Sequence, residues 1–175
     1  MTACTLRVQV NLDGYALPIK KLKGTEPVES LDLSGKKLGV ASTIVIASLI
    51  SVNGSLTSLN LSGNQLCGVW TDNDGEQGNY QGNYTAEGII AIADALRVNG
   101  SLTSIDLSEN ALTNYGRDMT GIKQLAAALG VNGSLTSLDL SNNALCGRTC
   151  GTYTAEGISA IADALRVNGS LTKVR

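Results

Sequence analysis

The chain has no histidine and no phenylalanine, a single tryptophan and two prolines. Without histidine there is no Ser-His-Asp or Cys-His catalytic set and no imidazole metal ligand. The remaining residues offer no paired nucleophile and base, so a hydrolase or transferase has nothing to work with. Charge is sparse and balanced, with 13 Lys and Arg against 15 Asp and Glu, for a formal net charge of −2. That gives no electrostatic footprint for nucleic acid or an acidic membrane surface. Long apolar runs are also missing. The longest, Val40 to Val52, is broken by Ser42, Thr43, Ser48 and Ser51 and is too short to span a bilayer. Met1 to Gly14 lacks the basic start and apolar run of a signal peptide, so a cytoplasmic location is expected.

Cysteine is nearly as scarce, at Cys4, Cys67, Cys146 and Cys150. Reduced thiols are expected, although Cys146 and Cys150 lie close enough in sequence to meet inside one loop. A C-x-x-x-C pair without further ligands is a poor zinc site. Asp72-Asn73-Asp74-Gly75-Glu76 lacks the full ligand series of a calcium loop. Neither a metal nor a cofactor is expected.

What is abundant is leucine at fixed intervals. Leu135 to Leu145 reads L-x-x-L-x-L-x-x-N-x-L, and the pattern returns at Leu56–Leu66, at Leu102–Leu112 and, more weakly, at Val28–Leu38. A fifth copy begins at Leu171 and runs to Arg175. On a strand, Leu138 and Leu140 point to one side, while Ser137, Asp139 and Ser141 point to the other. One such strand cannot bury its apolar side alone; stacked copies can. Asn64, Asn110 and Asn143 fall where the chain turns inward, and an amide supplies both donors and an acceptor to turn backbone. Lys36 holds that place in the first copy, which marks that end as open or capped.

On these residues the chain resembles the leucine-rich repeats, and within them the ribonuclease-inhibitor-like class. The resemblance covers residues 28–175, about four full repeats and a truncated fifth. It implies an α/β solenoid, a horseshoe with parallel strands on the concave face and helices on the convex face. Repeat starts lie 28, 46, 33 and 36 residues apart. The first is the length the resemblance implies, so the extra residues of the other three should be loops. Each repeat buries about six or seven aliphatic side chains, roughly 1.5–3 kcal/mol gross apiece, and depends on its neighbour for much of that.

Outside the repeats, residues 1–27 read as a cap. Leu6, Val8, Val10 and Leu12 alternate as a short strand, Asp13-Gly14 marks a turn, and Leu17, Ile19 and Leu22 can cover the first repeat. Helices are expected over 42–52, with Ile46, Leu49 and Ile50 inward, and after Thr85 as N-cap, with Ile89, Ile92, Ala93 and Leu96 inward. Ile122, Leu125, Ala126 and Leu129 mark another. Asn53-Gly54, Asn99-Gly100, Asn132-Gly133 and Asn168-Gly169 should end them through a left-handed residue. Each also opens an N-G-S glycosylation pattern, but as a recurring helix-to-strand junction it reads as architecture. Tyr84–Ser104 and Tyr153–Lys173 differ at only two of 21 positions, Ile90/Ser159 and Ser104/Lys173, the trace of a tandem duplication. The end at Leu171 and Val174 leaves an unpaired strand edge, which fits a fragment of a longer protein or an edge that pairs with something.

The expected function is a non-catalytic protein–protein interaction scaffold. Relatives implied by the resemblance include ribonuclease inhibitor, nucleotide-binding immune sensors and activators of the small GTPase Ran. The alternatives are therefore a small-GTPase regulator and the sensor or regulatory part of a larger repeat protein. Two surfaces are candidates for an unidentified protein partner. Trp70, Tyr80, Tyr84, Tyr115 and Tyr153 all fall in strand-to-helix loops on one rim, where repeat proteins place recognition; Tyr84 and Tyr153 read equally well as packing over their helix starts. Asp32, Asn60, Asp106 and Asp139 line the strand face, which is small, polar and mildly acidic, and without aromatic or Arg anchors. The long excursion from Cys67 to Tyr84, rich in Gly and Asn, favours turns or mobility over a packed element.

Overall fold

The computed structural model describes residues 10–71, 80–147 and 153–175. The predicted strand residues Leu6 and Val8, Cys4, Cys150 and the Asp72–Glu76 acidic stretch lie outside them. From Val10 the chain forms a hairpin, β1 (Val10–Leu12) against β2 (Tyr15–Leu17), in register Val10 to Leu17. Asp13 and Gly14 make its turn with φ of 54° and 77°, the two successive positive values that a two-residue hairpin loop requires. A short helix, α1 (Ile19–Lys23), follows. Leu17 and Leu22 are buried in the common core, and Ile19 packs partly buried against it. Asp13 reaches further than expected: its Oδ2 accepts from the Gly39 amide (2.8 Å) and the Ser42 hydroxyl (2.6 Å). It thereby satisfies the start of the next helix from a distant point in the chain.

Four coils then repeat strand, turn and helix. They are β3 (Ser30–Asp32) with α2 (Val40–Ile50), β4 (Ser58–Asn60) with α3 (Glu87–Val98), β7 (Ser104–Asp106) with α4 (Thr120–Leu129), and β8 (Ser137–Asp139) with α5 (Glu156–Val167); β9 (Lys173–Val174) closes the series. The second coil also carries an antiparallel hairpin, β5 (Val69–Thr71) and β6 (Tyr80–Gly82). The sheet order β3-β4-β7-β8-β9 is the order of the chain, and every neighbouring pair is parallel. Helix packs on helix in the same order. This is an α/β fold with one parallel sheet and the helices returning the chain between strands. No helix among the described residues is long and apolar enough to cross a membrane.

The leucine spacing explains the core. Leu33, Leu61, Leu107 and Leu140 are buried, as are Leu59, Ile105 and Leu138 two residues earlier. From the other side, Ile46 and Ile50, then Ile89, Ile92 and Leu96, then Ile122, Leu125 and Leu129 close over them. Leu49, expected inward, is only partly buried.

Three expectations need correction. The excursion after Cys67 is not all turns: β5 and β6 form the hairpin, and Cys67 and Val69 are buried. Its glycines include one for close approach, because a Cβ on Gly82 would fall on the Gly68 carbonyl and the Trp70 ring. Helix α3 begins at Glu87 with Ala86 at the N-cap, and the Thr85 hydroxyl accepts from the Glu87 amide at 3.3 Å from one position further out. Finally, the four Asn-Gly junctions do not use a left-handed residue, whereas α1 does end on one, Gly24 (φ 80°). Asn99 and Asn168 are extended (φ −75°, ψ 123° and φ −77°, ψ 124°).

The reason lies in the asparagine side chains. Asn99 Oδ1 accepts from the amides of Ser101 (3.0 Å) and Leu102 (2.7 Å). Its Nδ2 donates to Ile50 O (2.7 Å) and Asn53 O (3.1 Å) in the coil before. Asn53, Asn132 and Asn168 repeat this pattern, with Asn53 donating to Lys21 O and Leu22 O of the cap. Buried carbonyls that no ladder serves are paired this way, coil to coil. Asn53, Asn99 and Asn132 are at most 5% exposed, so an attached glycan would have to break these bonds.

A second ladder runs at the other end of the strands. Asn64 Oδ1 accepts from the Lys36 (2.9 Å) and Leu38 (3.0 Å) amides while Nδ2 donates to Leu33 O and Leu61 O. Asn143 does the same to the third coil. Between them Asn110 donates to Leu61, Leu107 and Ser108, but its buried Oδ1 has no partner. The cause is local. Lys37, Ala111 and Ala144 have positive φ, whereas Gln65 does not, and the Gln65 amide turns to Leu38 O instead. The backbone takes a different path where the hairpin departs. Lys36, in the asparagine place of the first coil, lies with its Nζ 5.9 Å from the Tyr15 ring centre of the cap.

Candidate functional site

Asp32, Asn60, Asp106 and Asp139 occupy one register position on four adjacent parallel strands, so they form a row across the sheet. Each side chain is already engaged. Asp106 Oδ1 accepts from the Ser108 amide (2.9 Å) and hydroxyl (2.7 Å), and Asp139 takes the same pair from Ser141. Asp32 and Asn60 accept from the Ser34 and Ser62 amides, both at 2.9 Å. The row therefore ends the strands by side-chain turns. The Ser34 amide and hydroxyl hold Asp32 below the usual carboxylate range. At Asp139 partial burial pushes upward, but the Ser141 hydrogen bonds, with Arg175 and Lys173 nearby, outweigh it and the net shift is downward. Both stay ionised wherever ordinary carboxylates do.

Beyond the strand ends lies a groove of about 870 Å³ that crosses the loops of all four coils. Its floor and walls include Lys37, Gln65, Glu109, Asn142, Trp70 and Tyr115. Gly35, Gly63, Glu109 and Asn142 hold the same motif position and share a left-handed φ between 57° and 63°. Gly35, Gly63 and Asn142 are of the residue types that tolerate that conformation best. Trp70 stands on β5, 39% exposed.

The five rim aromatics do not act as one cluster. Trp70 and Tyr115 meet on the groove. Tyr80 lies on β6 opposite Thr71 in the hairpin. Tyr84 packs against the core, and its hydroxyl donates to Leu112 O at 2.9 Å. Burial, with the Cys67 and Asp118 charges, pushes its phenol above the ordinary tyrosine range. Tyr153 stands well exposed next to the start of α5. Cys67, buried behind the hairpin, has its thiol pushed up to about 12 by burial, and it and Cys146 are free thiols. Among the described residues no group of three His, Cys, Asp or Glu is placed to hold a metal ion. What the arrangement offers is a wide polar trough lined in part by Trp70 and Tyr115.

The Leucine Rich Repeat family model matches residues 55–73 and 134–152, the second and fourth coils. No curated protein matches the chain. Among solved structures, it is similar to the leiomodin-1 actin-binding site 2, with a TM-score of 0.66 at 20% identity over 90% of this chain and 75% of that one. It is also similar to a tropomodulin C-terminal domain from Caenorhabditis elegans, with a TM-score of 0.61 at 14% identity over 89% of this chain and 78% of that one. At such identities the likeness is one of fold.

Proposed function

Because the chain is a leucine-rich-repeat protein, we propose that it is a non-catalytic scaffold that holds a protein partner across its strand-end rim, as a ribonuclease-inhibitor-like horseshoe does. The observation that carries this reading is the groove over four successive coils, with Trp70 and Tyr115 on its wall. Aromatic side chains on a wide polar surface are the common anchors of protein recognition. The contact residues are Trp70, Tyr115 and Tyr80 on the rim. The ordered row Asp32, Asn60, Asp106 and Asp139 forms the adjoining polar floor, and Tyr153 extends the rim toward the last coil. Tyr84 serves the packing of the core instead. The partner is a cytoplasmic protein, in keeping with the chain's balanced charge.

The test is capture of proteins from cell extract by the full chain and by Trp70→Ala and Tyr115→Ala. Proteins held by the parent and lost with both variants support the rim. Recovery of the same set at the same yield by all three removes it. A second reading follows from the structural likeness to an actin-binding domain: actin itself as partner. Cosedimentation with actin filaments and binding to actin monomers decide it, and no pelleting or binding at tens of micromolar ends it. Regulation of a small GTPase is the remaining alternative, tested by GTP hydrolysis rates with and without the chain.

A further inference from the structure

The asparagine ladder beneath the groove is complete at its first and last steps. Asn64 Oδ1 accepts from the Lys36 and Leu38 amides, and Asn143 Oδ1 from the Asn110 and Leu112 amides. At the middle step the corresponding donors are the amides of Asn64 and Leu66, and neither reaches Asn110 Oδ1. The Asn110 side chain itself is in register. Its Nδ2 donates to Leu61 O, Leu107 O and Ser108 O, the equivalents of the carbonyls that Asn64 and Asn143 use. The acceptor is where the ladder needs it; the second coil has turned its donors away.

The departure is bracketed by backbone that keeps the common path. Gly63 holds the left-handed φ of its counterparts, at 63°. Two residues on, Gln65 O accepts from the Gly68 amide at 2.8 Å, as Ala111 O does from Asn114 and Ala144 O from Gly147. Between these points the coils differ. Lys37, Ala111 and Ala144, each one residue past the asparagine place, have φ of 57°, 51° and 53°, whereas Gln65 has no positive φ. Its amide is tied back to Leu38 O at 2.9 Å. The amides of Lys37, Ala111 and Ala144 find no acceptor among the described residues, and all three residues line the groove. One setting of this link gives Gln65 a single hydrogen bond and leaves a buried acceptor bare. The other setting is held by non-glycine residues in three coils, and in the first and third it serves the next asparagine with two amide bonds.

We propose that the Asn64–Gln65 link is a two-position switch in the floor of the groove. In the position of the structure, Gln65 holds Leu38 O and Asn110 Oδ1 is unserved. In the other, Gln65 is left-handed, the Asn64 and Leu66 amides donate to Asn110 Oδ1, and the Gln65 amide joins those of Lys37, Ala111 and Ala144 on the floor. Two unfavourable features oppose each other: a left-handed backbone at glutamine in one position, a buried acceptor without a donor in the other. A partner that lays a carbonyl or carboxylate oxygen over the second coil selects the second position, because it serves the released Gln65 amide. That consequence rests on the groove being the contact site. The switch itself does not, and it is read in the chain without a partner.

The test is amide hydrogen exchange, resolved by NMR, on the full chain and two variants. Gln65→Gly removes the penalty for a left-handed residue, and Gln65→Val raises it. Rates are taken relative to the Lys36 and Leu38 amides, which Asn64 holds in either position, so that a general change in stability cancels. In Gln65→Gly the Asn64 and Leu66 amides slow by about tenfold or more while the amide at position 65 speeds up. In Gln65→Val all three match the parent. Adding Asn110→Ala to Gln65→Gly removes the slowing, because the acceptor is gone. Shifts of opposite sign at adjacent amides separate the switch from simple loosening by glycine, which speeds all three. Joint speeding, parental rates in Gln65→Gly, the same slowing in Gln65→Val, or slowing that survives Asn110→Ala overturns the proposal.

Discussion

Asn99→Ala and Asn168→Ala remove the same side chain from the same local sequence, residues 91–103 and 160–172 being identical. Propensity and unfolded-state effects therefore cancel between them. Asn99 makes four backbone hydrogen bonds at 2.7–3.1 Å, two into the preceding coil and two to its own turn, and is 5% exposed. At about 1 kcal/mol net for each bond, with no water to replace them, the substitution costs about 4 kcal/mol. Asn168 makes the matching four at 2.7–2.9 Å, but in a half-exposed place on the last coil. There water takes over part of the loss, and about 1–2 kcal/mol is expected. The gap of about 2 kcal/mol corresponds to about 1 M in the urea midpoint at a slope near 2 kcal/mol/M. Urea unfolding followed by circular dichroism reads it directly. Equal midpoints for the two variants, or a cost below about 1 kcal/mol for Asn99→Ala, would refute the view that buried coil-to-coil amide bonds hold the stack.

Other outcomes follow from the same contacts. Asn143→Ala should destabilise more than Asn110→Ala, by about 2 kcal/mol, because Asn143 Oδ1 accepts two amide hydrogen bonds while Asn110 Oδ1 has no partner to lose; paired urea titrations check it. Cys67, buried with its thiol near 12, should resist iodoacetamide at pH 8 in the native protein while Cys146 is alkylated, as peptide mass mapping would show; comparable labelling of Cys67 would contradict its burial. Asp139 has a folded pKa below its unfolded value of about 3.9. Its contribution is therefore present above that value and is lost as pH falls through the folded pKa. Asp139→Asn keeps an acceptor, as Asn60 does with the Ser62 amide, but not the charge, so its melting temperature should lie below the parent's near neutral pH and converge with it in acid; a constant gap across that range would contradict the shift.

The stack itself was legible in the sequence. A leucine two residues from the next on a strand, repeated, has only one economical burial, and the inward stripes Ile89, Ile92, Ala93 and Leu96 came out buried together. The Asp94–Arg97 pair also formed as helical spacing requires, at 3.5 Å. The site was legible only in part. Trp70 and Tyr115 share a groove, but their joining depends on the hairpin β5–β6, whose strands are three residues long and lack an apolar alternation to announce them. Tyr84 could not be told from its rim neighbours until Leu112 O was found at its hydroxyl.

Sequence by itself thus determined the coil: most of the side chains that face inward, that each repeat carries a helix, and that neighbours must supply the missing half of every core. Those are consequences of period and of apolar area, both local. Tertiary structure decided everything that needs an atom from another coil. It made the Asn-Gly junctions into a side-chain ladder rather than left-handed caps, gave Asp13 to a helix 26 residues away, and exposed Ile158 where its twin Ile89 is hidden. A hydrogen bond or a filled hole depends on the position of two partners, and only the folded stack fixes the second.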